Sequence, residues 1–229
     1  MRRENGGDKM KARYGILVDL DRCTGCMTCV LACKEENLTP PGVWWNKVLE
    51  VEGPELEYIS YIPYACMHCD NPPCVSACPE KAIYKREDGI VLIDQEQCRG
   101  HGKCRDACPY GVIDINSEQD YFPTKTPYQD ISEPFRFHPA GKASKCTLCV
   151  HRIEKGREPA CVEGCPSKAM IFGDLNDPES PIRAKSRQAE QLLGSEMTDS
   201  KIFYMLPQVH LRKLIEERIR KNPRMDRLP

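Results

Sequence analysis

The sequence predicts an α+β protein made of two interleaved units, in which short helices and β-hairpins surround groups of cysteines and long loops are inserted. Three observations support this fold class. All 15 cysteines fall into four closely spaced runs, and short β-rich segments flank these runs. The last three runs end in Cys-Pro followed within a few residues by an apolar pair, a pattern that ends a short helix and starts a strand. The same small unit is therefore repeated along the chain.

The four cysteine runs share one spacing with variations. They consist of Cys23, Cys26, Cys29 and Cys33; of Cys66, Cys69, Cys74 and Cys78; of Cys98, Cys104 and Cys108; and of Cys146, Cys149, Cys161 and Cys165. In the third run, His101 stands where a cysteine is expected. This spacing is typical of bacterial ferredoxins, in which three thiolates of a run bind one iron-sulfur cube and the fourth ligates a second cube. The runs therefore predict iron-sulfur clusters.

Two other uses of the cysteines fit less well. Disulfides are disfavoured because the number of cysteines is odd, the spacings are tight and no secretory signal precedes them. Paired cysteines also build zinc ribbons, but ribbons lack the third cysteine and the Cys-Pro ending. Zinc remains an alternative that metal analysis can decide.

The first half of the chain gives clear local signals. Residues 14–20 alternate and are β-rich, which predicts a strand, and a short helix is expected over residues 27–36. Residues 37–65 form an insertion in which the pair Trp44-Trp45 either packs internally, covers a cluster or meets a partner. Within it, residues 56–64 predict a strand. Two β-rich arms around Asp88-Gly89 predict a hairpin.

The second half contains two segments outside the runs. Residues 119–139 contain several prolines and little periodicity, which predicts a surface excursion that meets a partner or covers clusters. Residues 181–229 are expected to form a C-terminal partner-binding tail. Residues 208–222 predict a helix with Leu211, Leu214, Ile215 and Ile219 on one face, and this helix either packs on its own domain or docks onto a larger subunit.

Composition limits the remaining possibilities. The net charge of −1 gives no reason to expect nucleic acid as a partner. The mean hydropathy of −0.55 and the 19 prolines indicate a modest apolar core, so bound clusters are expected to stabilise the fold. No 18-residue apolar stretch predicts a transmembrane segment, and Arg2-Arg3 lacks the apolar region of an export signal.

The chain resembles the four-cluster, ferredoxin-type electron-transfer subunits of molybdopterin oxidoreductases. This family includes the small subunits of dimethyl sulfoxide, polysulfide, thiosulfate, arsenate and nitrate reductases and of formate dehydrogenases. The resemblance covers about residues 12–180, and within this range it includes the segments 145–152 and 172–178. Residues 84–94 with Cys108-Pro-Tyr-Gly111 also resemble the small subunits of hydroxyarene transhydroxylases and hydroxylases.

The family pattern implies four ligand sets, here named sites A to D. Site A contains Cys23, Cys26, Cys29 and Cys165; site B contains Cys146, Cys149, Cys161 and Cys33; site C contains Cys66, Cys69, Cys74 and Cys108; and site D contains Cys98, Cys104 and Cys78. The resemblance thus implies an outer ferredoxin unit, residues 12–60 plus 140–180, that encloses an inner unit, residues 61–118.

The resemblance also implies the function and the partners. The protein is expected to connect a large molybdopterin subunit, with molybdenum or tungsten, to an external electron donor or acceptor without being catalytic itself. Further expected partners are a membrane anchor, a quinone-reactive subunit or a soluble carrier. The expected location is the cytoplasm, or the periplasm by co-export with a signal-bearing partner, with or without peripheral attachment to the membrane. A free polyferredoxin shuttle and a subunit of the hydroxyarene branch are the alternatives.

His101 is the departure from the family pattern. A tryptophan at this place in related subunits leaves a 3Fe-4S cluster, whereas an imidazole can also complete a 4Fe-4S cube. The expected cofactors are therefore three 4Fe-4S clusters plus one cluster that is either 3Fe-4S or His-ligated 4Fe-4S. A third possibility is that His101 is a flexible surface residue. Gly100 and Gly102 let the loop either bring the longer side chain to the cluster or swing it away. Because the loop was spaced for a shorter thiolate, the three-iron form is preferred.

Overall fold

The computed structural model describes residues 11–53, 58–116, 138–193, 198–207 and 210–221. The strands are β1 (Tyr14–Asp19), β2 (Lys47–Glu52), β3 (Ile59–Tyr64), β4 (Ile83–Lys85), β5 (Val91–Ile93), β6 (Asp114–Ile115), β7 (Ala143–Ser144), β8 (Met170–Asp174) and β9 (Ile202–Met205). The helices are α1 (Thr28–Asn37), α2 (Pro73–Ala77), α3 (Lys103–Asp106), α4 (Val150–Ile153), α5 (Ala160–Glu163), α6 (Pro181–Ser186) and α7 (Leu211–Lys221). Short helices and small sheets make this an α+β fold.

The central sheet has the strand order β8-β1-β9. β1 pairs antiparallel with β8, with Ile16 opposite Phe172, and parallel with β9, with Leu17 opposite Phe203. The middle residues of β1 are buried because both of its edges are paired and α6 packs on the sheet. Since β1 leads into the first cysteine run and β8 follows the fourth, this pairing brings the two ends of the sequence pattern together.

Three two-stranded sheets complete the β-structure of the described residues. β2 pairs with β3, β4 with β5 and β6 with β7, all antiparallel. The turn between β4 and β5 contains Gly89 at φ 82, a conformation that glycine adopts without strain. The predicted hairpin around Asp88-Gly89 is therefore confirmed.

The short helices pack in pairs that are distant in sequence. α1 of the first run packs against α5 of the fourth, and α2 of the second packs against α3 of the third. The predicted strand over 14–20 and helix over 27–36 correspond to β1 and α1 within one residue at their ends. β2 was not predicted, because its residues were assigned to the insertion.

The tryptophan pair in that insertion packs internally. Trp45 is buried and its Nε1 donates a hydrogen bond to Ser144 Oγ at 3.2 Å, beside the β6–β7 hairpin. Trp44 lies under the ammonium group of Lys34, which is 4.6 Å from the ring centroid. The packing interpretation is confirmed for Trp45. The surface excursion predicted over 119–139 lies outside the described residues, apart from the final residues 138 and 139.

The described part of the C-terminal tail packs into the body of the protein. β9 is an edge strand of the central sheet, and α7 packs against β2. Leu211, Ile215 and Ile219 are fully buried, as the predicted apolar face requires, while basic residues occupy the other face of α7. In the part of the chain that the structure describes, no helix combines the length and the hydropathy of a membrane span.

Candidate iron-sulfur sites

The loops that carry the cysteines repeat one local geometry. After Cys78, Cys108 and Cys165, the third following residue donates its backbone N–H to the cysteine carbonyl, each time at 3.2 Å. These third residues, Lys81, Gly111 and Lys168, all have φ between 50 and 61. A left-handed residue closes the same tight turn after each Cys-Pro, so the sequence repeat is also a structural repeat.

Site A gathers cysteines from both ends of the pattern. Cys23 and Cys26 precede α1, Cys29 lies in its first turn, and Cys165 follows α5. Burial, together with the charges of Cys23 and Cys165, raises the pKa of Cys29 to about 12. Cys26 is exposed, and its pKa is lowered first by a hydrogen bond with Thr28, whose Oγ1 lies 3.4 Å from Sγ. Site A is therefore open to solvent on the side of Cys26.

Site B lies between α1 and the loops of the fourth run. Burial raises the pKa of Cys33 well above its usual range, and the charges of Cys146, Cys161 and Cys149 act in the same direction. A cavity of about 520 Å³ is lined by these four thiols and by apolar side chains of the central sheet. Cys33, the last cysteine of the first run, thus lies among the thiols of the fourth.

Site C is formed by the second run and the end of the third. Burial, together with the charges of Cys66, Cys108 and Cys74, raises the pKa of Cys69 to about 12. All four thiols line a cavity of about 340 Å³. Lys145, which directly precedes the fourth run, lines the same cavity.

Site D contains three cysteines and His101, which stands where a cysteine is expected. Burial raises the pKa of Cys104, and the charges of Cys98 and Cys78 add to this increase. A cavity of about 310 Å³ is lined by these three thiols and by His101. The backbone N–H of Ala143 lies 3.5 Å from Cys98 Sγ and donates to it.

His101 lies at the rim of site D. Its side chain is 46% exposed, and Nε2 lies 3.0 Å from Glu80 Oε1. Gly100 beside it has φ 73, and a Cβ there would lie 1.9 Å from the carbonyl oxygen of Gly141. Only glycine fits at that position, so the loop carrying His101 is held against the chain around residue 141.

The four groups match an iron-sulfur donor set in chemistry and position. All 15 cysteines are free thiols, and each group lies mostly within an apolar environment. Soft thiolates are the ligands of iron-sulfur clusters, and such sites are largely shielded from water. Among the described residues, no three His, Cys, Asp or Glu side chains are close enough to hold a single metal ion. The assignment of individual ligands to individual clusters stays a prediction.

The two histidines near the runs make hydrogen bonds. His68, between Cys66 and Cys69, accepts the backbone N–H of Val91 at Nδ1 over 3.1 Å. Burial lowers its pKa well below the usual value, with further lowering by the charges of Lys145 and Lys201, so the ring is neutral with its proton on Nε2.

His151 joins the first and fourth runs. Its Nε2 lies 2.8 Å from Glu36 Oε1, and the buried Arg152 donates to Glu36 Oε2 at 2.6 Å. Burial alone would raise the pKa of Glu36, but the hydrogen bonds from His151 and Arg152 lower it overall. The ion pair between Glu36 and Arg152 links α1 to α4 beside site B.

The cysteine pattern does not indicate the polar groups that contact the sulfurs. Asn37, at the end of α1, places Nδ2 at 3.6 Å from Cys33 Sγ and 3.7 Å from Cys149 Sγ. Asn46 donates to the carbonyl oxygen of Cys29 at 3.0 Å and lowers the pKa of its thiol, which burial raises. The sequence shows only that Asn37 is four residues after Cys33, the last cysteine of the first run, and its burial is seen only in the structure.

Comparisons with known proteins agree with this chemistry. Two family models, each described as a 4Fe-4S dicluster domain, match the chain; one matches residues 57–125 and 120–175, and the other residues 22–82. These matches define the class: an iron-sulfur protein with dicluster domains.

Curated relatives define the family more narrowly. The chain is 40% identical to a putative iron-sulfur subunit of dimethyl sulfoxide reductase from Halobacterium salinarum, over 84% of this chain and 78% of the relative. It is 36% identical to the arsenate respiratory reductase iron-sulfur subunit of a Shewanella species, over 84% and 96%. It is 41% identical to a subunit of tetrathionate reductase from Salmonella typhimurium, over 84% and 72%. The chain belongs to the family of iron-sulfur electron-transfer subunits of molybdopterin oxidoreductases.

Proposed function

We propose that this protein is the subunit that conducts electrons between a large molybdopterin catalytic subunit and an external donor or acceptor. The clusters supply one-electron transfer, and the polypeptide fixes their spacing, burial and hydrogen bonding. Membership of the family supports this function over that of a free shuttle or of a hydroxyarene-enzyme subunit.

The observation that supports a four-cluster arrangement most strongly is the exchange of cysteines between runs. Cys165 lies among the thiols of the first run and Cys33 among those of the fourth. Cys108 likewise lies among those of the second and Cys78 among those of the third. This exchange is the ligand pattern of a dicluster ferredoxin, repeated once.

The proposed architecture is two interleaved ferredoxin units. The antiparallel pairing of β1 with β8 and the packing of α1 on α5 support an outer unit, residues 12–60 plus 140–180. The packing of α2 on α3 supports an inner unit, residues 61–118. Replacing Cys33 or Cys165 by Ser should perturb the two outer clusters and spare the inner pair. An effect confined to the inner pair would contradict this pairing.

The proposed cofactors are three 4Fe-4S clusters and, at site D, a 3Fe-4S cluster. The contact of His101 with Glu80 and its exposure at the rim support a site with three cysteine ligands. Electron paramagnetic resonance of the oxidised protein should show a three-iron signal that His101→Ala leaves unchanged. Absence of this signal in the wild type and its appearance in His101→Ala would identify the histidine as a ligand instead.

The proposed partner is tested by copurification. A large molybdenum- or tungsten-containing protein should copurify with this chain from anaerobically grown cells, and dithionite-reduced chain should reduce that partner. Isolation of the chain alone from gentle extracts, with reversible transfer to several unrelated enzymes, would support a free shuttle. A membrane anchor, a quinone-reactive subunit or a soluble carrier is proposed as the opposite electron partner.

The compartment is proposed to follow the catalytic partner. A signal-bearing partner would carry the folded chain into the periplasm, and a partner without a signal would leave it in the cytoplasm. Peripheral attachment to the membrane would then depend on the opposite electron partner. Fractionation of cells producing both subunits, with and without the signal of the partner, measures this directly.

The basic face of α7 and the segment 119–139 are proposed to contact partners. The apolar face of α7 is buried within this chain, which leaves Lys213, Arg218 and Arg220 on the opposite, solvent-facing side. Charge reversal of these three residues should weaken copurification of the catalytic subunit while the cluster content stays at the wild-type value. Unchanged copurification would exclude α7 from the interface.

A further inference from the structure

One buried cation lies between two of the predicted sites. The side chain of Lys145 belongs to a residue that is 2% exposed, directly after β7 and directly before Cys146 of site B. It also lines the cavity that contains the four thiols of site C. The ammonium group therefore borders site C and contacts the carbonyl oxygen of Cys146, a predicted ligand of site B.

The hydrogen-bond acceptors of Lys145 are backbone carbonyl oxygens rather than a carboxylate. Its Nζ donates to the carbonyl oxygens of Val91 and Cys146, the latter at 3.1 Å. Over the described ranges no Asp or Glu forms an ion pair with it. The equally buried Lys201 differs, because Asp70 Oδ1 lies 3.2 Å from its Nζ. A buried ammonium is costly unless an anion compensates it, and the predicted cluster ligands of site C line the same cavity as Lys145.

The electrostatic neighbours of Lys145 belong to both sites. The four thiols of site C line the same cavity as Lys145, and Cys146 of site B is the next residue in the chain. A cation that favours the thiolate form also favours the more negative, reduced form of a cluster bound through those thiolates.

We propose that Lys145 is a positioning residue that sets the potentials of the clusters at sites B and C together. This inference rests on the proposed function, since it requires clusters at both sites. One charge buried between two anionic groups favours reduction of both, and this keeps the outer and inner units matched for electron transfer. The charge, rather than the hydrogen bonds, performs this role.

The test is a redox titration followed by electron paramagnetic resonance in Lys145→Met, Lys145→Gln and Lys145→Arg. An opposite charge at close range shifts an ionisation equilibrium by about tenfold or more. Removal of the charge should therefore shift the reduction equilibrium of two of the four clusters about tenfold toward the oxidised form, or about 59 mV for a one-electron couple. Lys145→Arg should keep both potentials close to wild type.

Lys142→Met is the matched control. Lys142 lies on the same segment but is only partly buried, and its Nζ donates to the carbonyl oxygen of Gln95 near site D. Removing this charge should leave the two potentials that respond to Lys145 unchanged. A shift of both by the same amount as in Lys145→Met would overturn the proposal.

The remaining outcomes also decide the question. Unchanged potentials in both neutral variants, a shift of only one cluster, or equal shifts of all four would overturn it. If both neutral variants lose clusters while Lys145→Arg retains them, the charge is needed to hold the clusters rather than to set their potentials, and the proposal is overturned. Loss in all three variants would assign Lys145 a packing role. A wild type without clusters would instead refute the proposed function.

Discussion

Replacement of Asn37 by Leu should lower the potential of the cluster at site B. The Asn37 amide is buried at the end of α1, where Nδ2 donates to the Cys33 carbonyl at 2.9 Å and approaches Cys33 Sγ and Cys149 Sγ at 3.6 and 3.7 Å. An N–H that points at a ligating sulfur stabilises the reduced, more negative cluster. Leu keeps the approximate shape and removes the donor.

The magnitude follows from the geometry. Hydrogen bonds to charged groups contribute about 1.5–3 kcal/mol, and a donor shared between two sulfurs at these long distances should contribute about 1 kcal/mol to the difference between oxidation states. Since a tenfold change is about 59 mV for one electron, the midpoint should fall by about 40 mV. Loss of folding stability should be small, because the Oδ1 of Asn37 is itself buried without a partner in the described structure.

Asn46→Leu is the matched comparison, measured by the same redox titration with electron paramagnetic resonance. Its amide donates to the carbonyl oxygen of Cys29 and lowers the pKa of that thiol. Asn46→Leu should therefore lower the midpoint of the cluster at site A instead of site B. An Asn37→Leu protein with full iron content and four unchanged midpoints would refute the reasoning. So would a shift of the same cluster by both variants.

Three further predictions concern the fold. Gly100→Ala should deplete the cluster at site D, measured by its three-iron signal, because its Cβ would collide with the Gly141 carbonyl. Gly102→Ala should have a smaller effect, because both glycines have positive φ but the nearest atom to a Cβ at Gly102 is in the Arg105 side chain, 3.5 Å away. Ile215→Ala should lower the free energy of unfolding in urea by about 2–5 kcal/mol, because Ile215 is fully buried. Lys213→Ala, on the exposed face, should change it by no more than about 0.5 kcal/mol. Equal effects of the two substitutions would contradict the packing of α7. Removal of iron by a chelator should abolish cooperative unfolding, because metal binding supplies folding free energy; an apoprotein as protease-resistant as the holoprotein would oppose this.

Local features of the fold were predictable from the sequence. The Asp88-Gly89 turn, the strand before Cys23 and the helix after Cys26 each depend on residues close together in the chain. The apolar face of α7 followed from its helical period, and Leu211, Ile215 and Ile219 are buried as that period requires. These signals are local, so tertiary contacts did not change them.

Long-range features were not predictable in the same way. β9 contains four residues and pairs with β1 from about 185 residues away, so no periodicity in either segment indicates the other. Its parallel pairing places the tail inside the fold. β2 was missed because the prolines and tryptophans around it suggested an irregular insertion. Its hairpin with β3 depends on a register that only the folded chain shows.

The environment of the sites was the least predictable part. The cysteine spacing identified the thiols, and the family resemblance implied which of them come together. The amide of Asn37 and the ammonium of Lys145 act through distances set by the packing of α1 and β7, which no local pattern encodes. Sequence therefore indicates the donor set, whereas the structure adds the groups that tune it.

The most direct test of the account is the metal content of the anaerobically purified protein. Iron, acid-labile sulfide and zinc should be measured on the same sample, together with a spin count of the reduced clusters. The account predicts four clusters with about 15–16 irons, a similar amount of sulfide and no stoichiometric zinc. Two clusters, or zinc in place of iron and sulfide, would contradict it.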